Sequence, residues 1–171
     1  YSVLSAYVYH DSDIALPDGW SSFRQADTEI INLDGYYGEA YFKSSTGEVV
    51  IAHRGTDSFV NQVFSNFPLA IDSAITQYKG DGREFIGQVK AEMVSLGYNL
   101  DKLSFTGHSL GGVLAQLSAA EEFYKNGRAT TKAVVFDSPG MTVEMVQNNI
   151  DGAVVSSLTA LNVINFQQHL I

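Results

Sequence analysis

One stretch constrains this chain more than any other. It is Lys102-Leu103-Ser104-Phe105-Thr106-Gly107-His108-Ser109-Leu110-Gly111-Gly112, in which a β-type run meets a helix at a Gly-x-Ser-x-Gly turn. Leu103 and Phe105 alternate with polar residues before the turn, and Leu114 and Leu117 follow at helical spacing after it. So sharp a turn leaves no room for side chains two residues either side of Ser109, which accounts for Gly107 and Gly111. Gly112 then permits close packing of the helix. The turn lifts the Ser109 hydroxyl clear of its own backbone, as a serine nucleophile requires; the hydroxyl still needs a base beside it. The helix that begins there points free N–H groups and the positive end of its dipole at the place where charge forms during acyl transfer. Leu110 N–H, directly after Ser109, is the first candidate oxyanion donor. A glycine-rich strand-to-helix turn is the rival reading of the five residues alone, and the strand before and helix after favour the nucleophile.

Around this turn, strand and helix patterns alternate. Ser2 to Tyr9 reads as an opening helix with Val3, Leu4, Tyr7 and Val8 on one side; its β-branched and aromatic content keeps strand as a rival. Leu16-Pro17-Asp18-Gly19 marks a turn, after which Trp20 is expected to seal the domain edge. Gly38 to Lys43 and Glu48 to His53 should pair as a hairpin through Ser44-Ser45-Thr46-Gly47, the second strand apolar on both faces as a central strand is. Short helical structure is expected over 71–78, then helices from Arg83 to Leu96 with Gly97 as the stop, from the turn to about Tyr124, and from Thr142 to Asn149. Ala133 to Phe136 and Leu161 to Phe166 read as further strands. The alternation predicts an α/β fold in which a mostly parallel central sheet is flanked by helices, as one domain over 1–171.

The strand ending at His53 runs straight into Arg54-Gly55-Thr56-Asp57-Ser58. Gly55 allows a tight turn, so Thr56 can present its N–H and hydroxyl to the pocket that Leu110 N–H faces, completing a two-donor oxyanion hole. Asp57 and Ser58 read as the cap of a following helix. In that helix Phe59, Val60, Val63, Phe64 and Phe67 share one face, and Pro68 is expected to end it. The face is either a core stripe or a lid and acyl-binding wall, with Phe59, Phe64 and Phe67 against the acyl chain.

Composition narrows the partners. A formal net charge of −9 argues against nucleic acid, which needs clustered lysine and arginine, and against electrostatic docking on anionic membranes. Neutral esters and contact with a lipid interface remain compatible with it. No stretch approaches the ~20 apolar residues of a membrane span. The absence of cysteine removes disulfides and thiolate metal sites.

Three motifs in order, His53-Arg54-Gly55-Thr56, Gly107-His108-Ser109-Leu110-Gly111-Gly112 and Phe136-Asp137-Ser138-Pro139-Gly140, resemble those of the class 3 lipases, a fungal-lipase-like branch of the α/β-hydrolase fold. The resemblance runs from the first helix to the last strand. It implies a serine ester hydrolase with Ser109 as nucleophile, Thr56 and Leu110 as oxyanion hole, and the Phe59 to Phe67 stretch in the place of the family's lid. It implies acyl esters of lipids as substrates, with no metal and no organic cofactor. In the family an acid and then a histidine follow the serine, the acid just after a strand matching Leu161 to Phe166. Here that strand is followed by Gln167-Gln168-His169-Leu170-Ile171. The acid and the histidine are therefore expected beyond Ile171, with the C-terminal part of the domain missing.

Inside the chain the substitutes are few. His169 is the only histidine after Ser109, and it is either a base or a tail residue. Asp137 is either an acid beside the nucleophile strand or the cap of its own loop. His108 adjoins Ser109, where neighbouring side chains point apart, so it reads as a packing or hydrogen-bonding residue. His53 reads as a satisfied structural histidine, and His10 as a cation at a helix C-terminus. Asp151 reads as a turn residue. A second class of function stays open, a hydrolase-fold domain without its base that binds acyl groups or a partner.

Overall fold

A computed structural model of the chain describes residues 1–10, 15–26, 35–55 and 67–167. Six strands form one sheet in chain order: β1 (Trp20–Gln25), β2 (Gly38–Lys43), β3 (Glu48–His53), β4 (Leu103–His108), β5 (Lys132–Phe136) and β6 (Asn162–Phe166). β1 to β3 pair antiparallel and β3 to β6 parallel, so the mostly parallel sheet expected from the alternation is present. Helices α2 (Phe67–Gln77) and α3 (Arg83–Ser95), separated by a π-helical turn at Tyr78–Gly82, lie between β3 and β4. α4 (Leu110–Tyr124) joins β4 to β5, and α5 (Val143–Asn149) precedes β6.

The apolar run of β3 explains why it is central. Val49 and Ile51 face a core made with Leu103 and Phe105 of β4, Ala133 and Val135 of β5, and the buried sides of α2, α3 and α4. Val50 and Ala52 face the other way, into a smaller cluster with Leu4, Val8, Tyr37 and Tyr41 under α1 (Ser2–Tyr7). The opening segment is thus a helix despite its β-branched residues, because burial of Leu4 outweighs a weak propensity. α3 ends as expected, with Gly97 left-handed at φ 75°.

One expectation is corrected. Trp20 does more than close an edge, since it begins β1, whose register on β2 shifts between Ser22 and Arg24. Trp-Ser-Ser-Phe-Arg-Gln shows no clean alternation because an edge strand is held by a few contacts. Phe23 packs on Phe42 and Tyr98, and Arg24 reaches Glu92 of α3 at 2.8 Å. Pro68 stands in the first turn of α2, where a missing N–H removes no intrahelical bond. The helix expected from Phe59 lies outside the described residues as far as Ser65 and Asn66. Among the described residues no helix is long and apolar enough to cross a membrane.

Candidate active site

Ser109 joins β4 to α4 in a conformation that L-residues rarely adopt, φ 53° and ψ −121°. Its N–H donates to Phe136 O at 2.9 Å, and its own carbonyl accepts from Gly112 N–H at 3.0 Å. The glycines are required by backbone proximity. A Cβ on Gly107 would lie 2.3 Å from the carbonyl of Gly111, and one on Gly111 would lie 2.3 Å from His53 O and 2.9 Å from Gly55 N. No flexible side chain is there to yield. One on Gly112 would meet the Ser138 side chain at 2.4 Å.

The contact between Gly111 and Gly55 also brings the end of β3 against the first turn of α4. Leu110 opens that helix and is buried, with its N–H among the first-turn groups that lack an intrahelical acceptor. Gly55, the residue before Thr56, is buried beside it. Thr56, Phe59 and Phe64 lie outside the described residues, as do Asp57, Ser58 and His169; of Phe67 only the backbone is described, at the start of α2.

β4 and β5 end in register, His108 opposite Phe136, so the residue after each strand comes to the same rim. Asp137 is left-handed there, at φ 46°, with its N–H donating to Phe166 O at 2.8 Å. Of the two readings of His108, packing or polar pairing, the structure shows the second. Its side chain is 49% exposed and its Nε2 lies 3.7 Å from Asp137 Oδ2. Ser109 therefore sits beside a histidine–carboxylate pair at the C-terminal rim of the parallel strands, where ligands bind in open α/β sheets.

His53 is structural. Ser118 Oγ donates to Leu114 O at 2.7 Å, so it accepts from His53 Nε2 at 3.1 Å; His53 Nδ1 then accepts from Tyr36 OH at 3.0 Å. Full burial holds this imidazole neutral, with its pKa lowered to about 3. His10 does not cap α1, which ends at Tyr7; its Nε2 lies 2.7 Å from Glu39 Oε1.

Four residues here escaped the sequence reading. Glu39 is wholly buried and accepts from Tyr37 OH and Tyr41 OH, each at 2.6 Å. The Tyr37-x-Glu39-x-Tyr41 alternation was its signal, one strand face carrying three groups able to satisfy one another. Gln116 lies within the apolar α4, and the two hydrogens of its Nε2 are shared among Ser138 Oγ (2.9 Å), Pro139 O (3.0 Å) and Gly112 O (3.1 Å). Asn165 Nδ2 donates to Ser138 O at 2.8 Å, so the loop after β5 is held from both sides. Tyr9, whose hydroxyl accepts Gly55 N–H at 2.9 Å, carries no sequence signal. Among the described residues no group of three or more histidine, aspartate or glutamate side chains could hold a metal ion.

Comparison with known proteins adds to this geometry. The family profile described as "Lipase (class 3)" matches residues 50–167. Lipase II from Rhizopus niveus is a similar solved structure, with TM-score 0.61 and 16% identity over 81% of this chain and 60% of that one. Lip2 lipase from Yarrowia lipolytica is another, with TM-score 0.64 and 16% identity over 98% of this chain and 68% of that one. A third is a triacylglycerol lipase whose catalytic centre is formed by a serine protease triad, with TM-score 0.59, 18% identity, and coverage of 80% and 58%. At these identities the likeness is one of fold. The chain spans 58% to 68% of the length of these three. No curated protein sequence matches.

Proposed function

The chain belongs to the class 3 lipase family, and from that premise we propose that the protein is a serine ester hydrolase acting on acyl esters of lipids through an acyl-enzyme on Ser109. The observation that carries this is the left-handed Ser109 at the start of α4 with the backbone of Gly55 seated against Gly111. Ser109 Oγ attacks the ester carbonyl carbon as a histidine takes its proton. The carbonyl oxygen becomes an oxyanion that accepts hydrogen bonds from Leu110 N–H and from the N–H and hydroxyl of Thr56. Collapse breaks the bond to the alcohol oxygen, which leaves with the proton from the histidine. Water, deprotonated by the same histidine, then releases the fatty acid and restores Ser109. Each oxyanion donor is worth roughly 2.7 to 4 kcal/mol of transition-state stabilisation.

The base is a histidine that follows β6, and the acid follows β6 ahead of it, both in residues beyond Ile171. Two observations support this reading. His53 has both ring nitrogens engaged, and His10 is tied to Glu39. The chain also spans only part of the length of the lipases it resembles. Phe59, Phe64 and Phe67 form the wall for the acyl chain and the lid over Ser109, which suits contact with a lipid interface. No metal and no organic cofactor takes part.

The test is fluorophosphonate labelling of the full-length protein together with hydrolysis of short and long acyl esters. Labelling and turnover are expected in the wild type and in neither case with Ser109→Ala. Labelling that survives Ser109→Ala assigns the nucleophile elsewhere. A wild type that binds acyl chains with neither labelling nor turnover is a non-catalytic acyl-binding domain.

A further inference from the structure

We propose that Tyr9 is a positioning residue for the oxyanion loop, its phenolic oxygen holding the Gly55 N–H so that the next residue, Thr56, presents its donors to the reacting carbonyl. This rests on the assignment of Thr56 as an oxyanion donor.

Gly55 is the point in that loop with the most conformational freedom, and an oxyanion donor acts only if its direction is set before charge develops. The structure fixes Gly55 on two sides. Its N–H donates to Tyr9 OH at 2.9 Å, and a Cβ there would lie 3.2 Å from both Gly111 N and His108 O. The residue before it is fixed too, with Arg54 N–H donating to Tyr37 O at 3.0 Å and the Arg54 guanidinium 4.5 Å from the centre of the Tyr37 ring. Gly55 is therefore pinched between a phenol and the serine turn.

Tyr9 is itself held in place. The chain leaves α1 through bonds from Tyr9 N–H to Ala6 O (3.1 Å) and from His10 N–H to Tyr7 O (2.9 Å), and His10 is left-handed at φ 55°. The imidazole of His10 lies 2.7 Å from both Glu39 Oε1 and Tyr37 OH. Glu39, on β2 opposite Ala52 of β3, also accepts from Tyr41 OH (2.6 Å) and Gln25 Nε2 (3.1 Å). A wholly buried carboxylate is tolerated only when satisfied in this way. Here its donors lock the Tyr9–His10 corner under the end of β3. The serine chemistry described above uses none of these groups, and their shared consequence is the placement of Gly55.

The test uses the full-length protein and a short, soluble acyl ester, comparing wild type, Ser109→Ala and Tyr9→Phe. Tyr9→Phe is expected to lower kcat by roughly 10- to 100-fold, the scale of a misaligned donor, with KM within about threefold of wild type. Affinity for a boronic acid that adds to Ser109 should fall by the same ratio as kcat/KM, a correlation that loss of stability alone does not produce. His10→Asn keeps a residue tolerant of positive φ but cannot reach Glu39, and should show the same split at smaller size. Wild-type kcat in folded Tyr9→Phe overturns the inference; if that variant does not fold, wild-type kcat in His10→Asn does so. Activity retained by Ser109→Ala removes the serine mechanism itself. Loss of activity in Ser109→Ala beside wild-type kcat in Tyr9→Phe removes only the role of Tyr9.

Discussion

Among the described residues three other than glycine sit at positive φ, His10, Ser109 and Asp137, and all three lie at chain corners around the C-terminal ends of β3, β4 and β5. Strain of this kind persists where the surroundings over-determine it. Ser109 is held by the bond to Phe136 O, Asp137 by the bond to Phe166 O, and His10 by the buried Glu39. His53 shows the opposite economy, a polar ring made inert by two neutral partners and by stacking on Phe105. That neutrality has a pH signature. The unfolded imidazole takes up a proton near pH 6.5, whereas the folded one does so only near about 3, because burial disfavours the cation. The unfolded state thus binds more protons in that window. The stability contributed by His53 is complete above pH 6.5 and is lost as pH falls toward 3, at roughly 1.4 kcal/mol per pH unit. Urea midpoints measured between pH 8 and pH 4 should therefore fall more steeply for wild type than for His53→Asn. The variant, although weaker at pH 8, should converge on wild type in acid. Parallel curves would mean that His53 is already charged in the fold.

At the scale of elements, α4 binds the site together. Its first turn carries Leu110 and Gly111, and one turn later Gln116 grips the loop that follows β5. Gln116→Leu leaves Ser138 Oγ and Pro139 O without that donor and should cost about 1 to 3 kcal/mol. Gln116→Glu should cost more than Gln116→Leu, because it sets a buried charge against the carbonyl oxygens of Gly112 and Pro139. The ordering of the two urea midpoints checks this, and the reverse order would show that the amide mainly fills space. Gln116 itself was illegible, since a lone amide in an apolar helix reads as solvent-facing until the loop opposite is known. β3, β4 and α4 were legible because each is buried on the faces that its own period dictates. β1 was not, because Phe23 and Arg24 are held by Tyr98 and Glu92, more than 65 residues along the chain and invisible to a local pattern. Pro68 is ambiguous for a related reason. A proline marks a helix boundary without saying which side the helix lies on.

For the molecule as a whole, the legible part of the site is the part that is local in sequence. Gly-x-Ser-x-Gly contains its own geometry, while Tyr9 and Glu39 reach the rim only through the sheet. The acid and base of the proposed mechanism are unread for the same reason, since that proposal brings them from after β6. On the face away from α4, Phe136 stacks on Phe166 with ring centres 5.4 Å apart, and Phe166 and Ile164 are 55% and 45% exposed. Among the described residues β6 pairs only with β5, leaving one edge of backbone donors and acceptors unused. Aromatic and aliphatic side chains on an open strand favour association with an apolar surface, and the mechanism proposed above supplies one in the segment that carries its acid and base. On that reading the same pair of substitutions acts with opposite signs in two settings. In a polypeptide of residues 1–171, Ile164→Thr with Phe166→Ser should raise solubility and reduce binding of a hydrophobic dye. In the full-length protein the pair should lower stability by several kcal/mol, the sum for two buried apolar side chains. Equal stability of the full-length protein with and without the substitutions would leave this face open to solvent, and the acid and base would have to reach Ser109 without covering it.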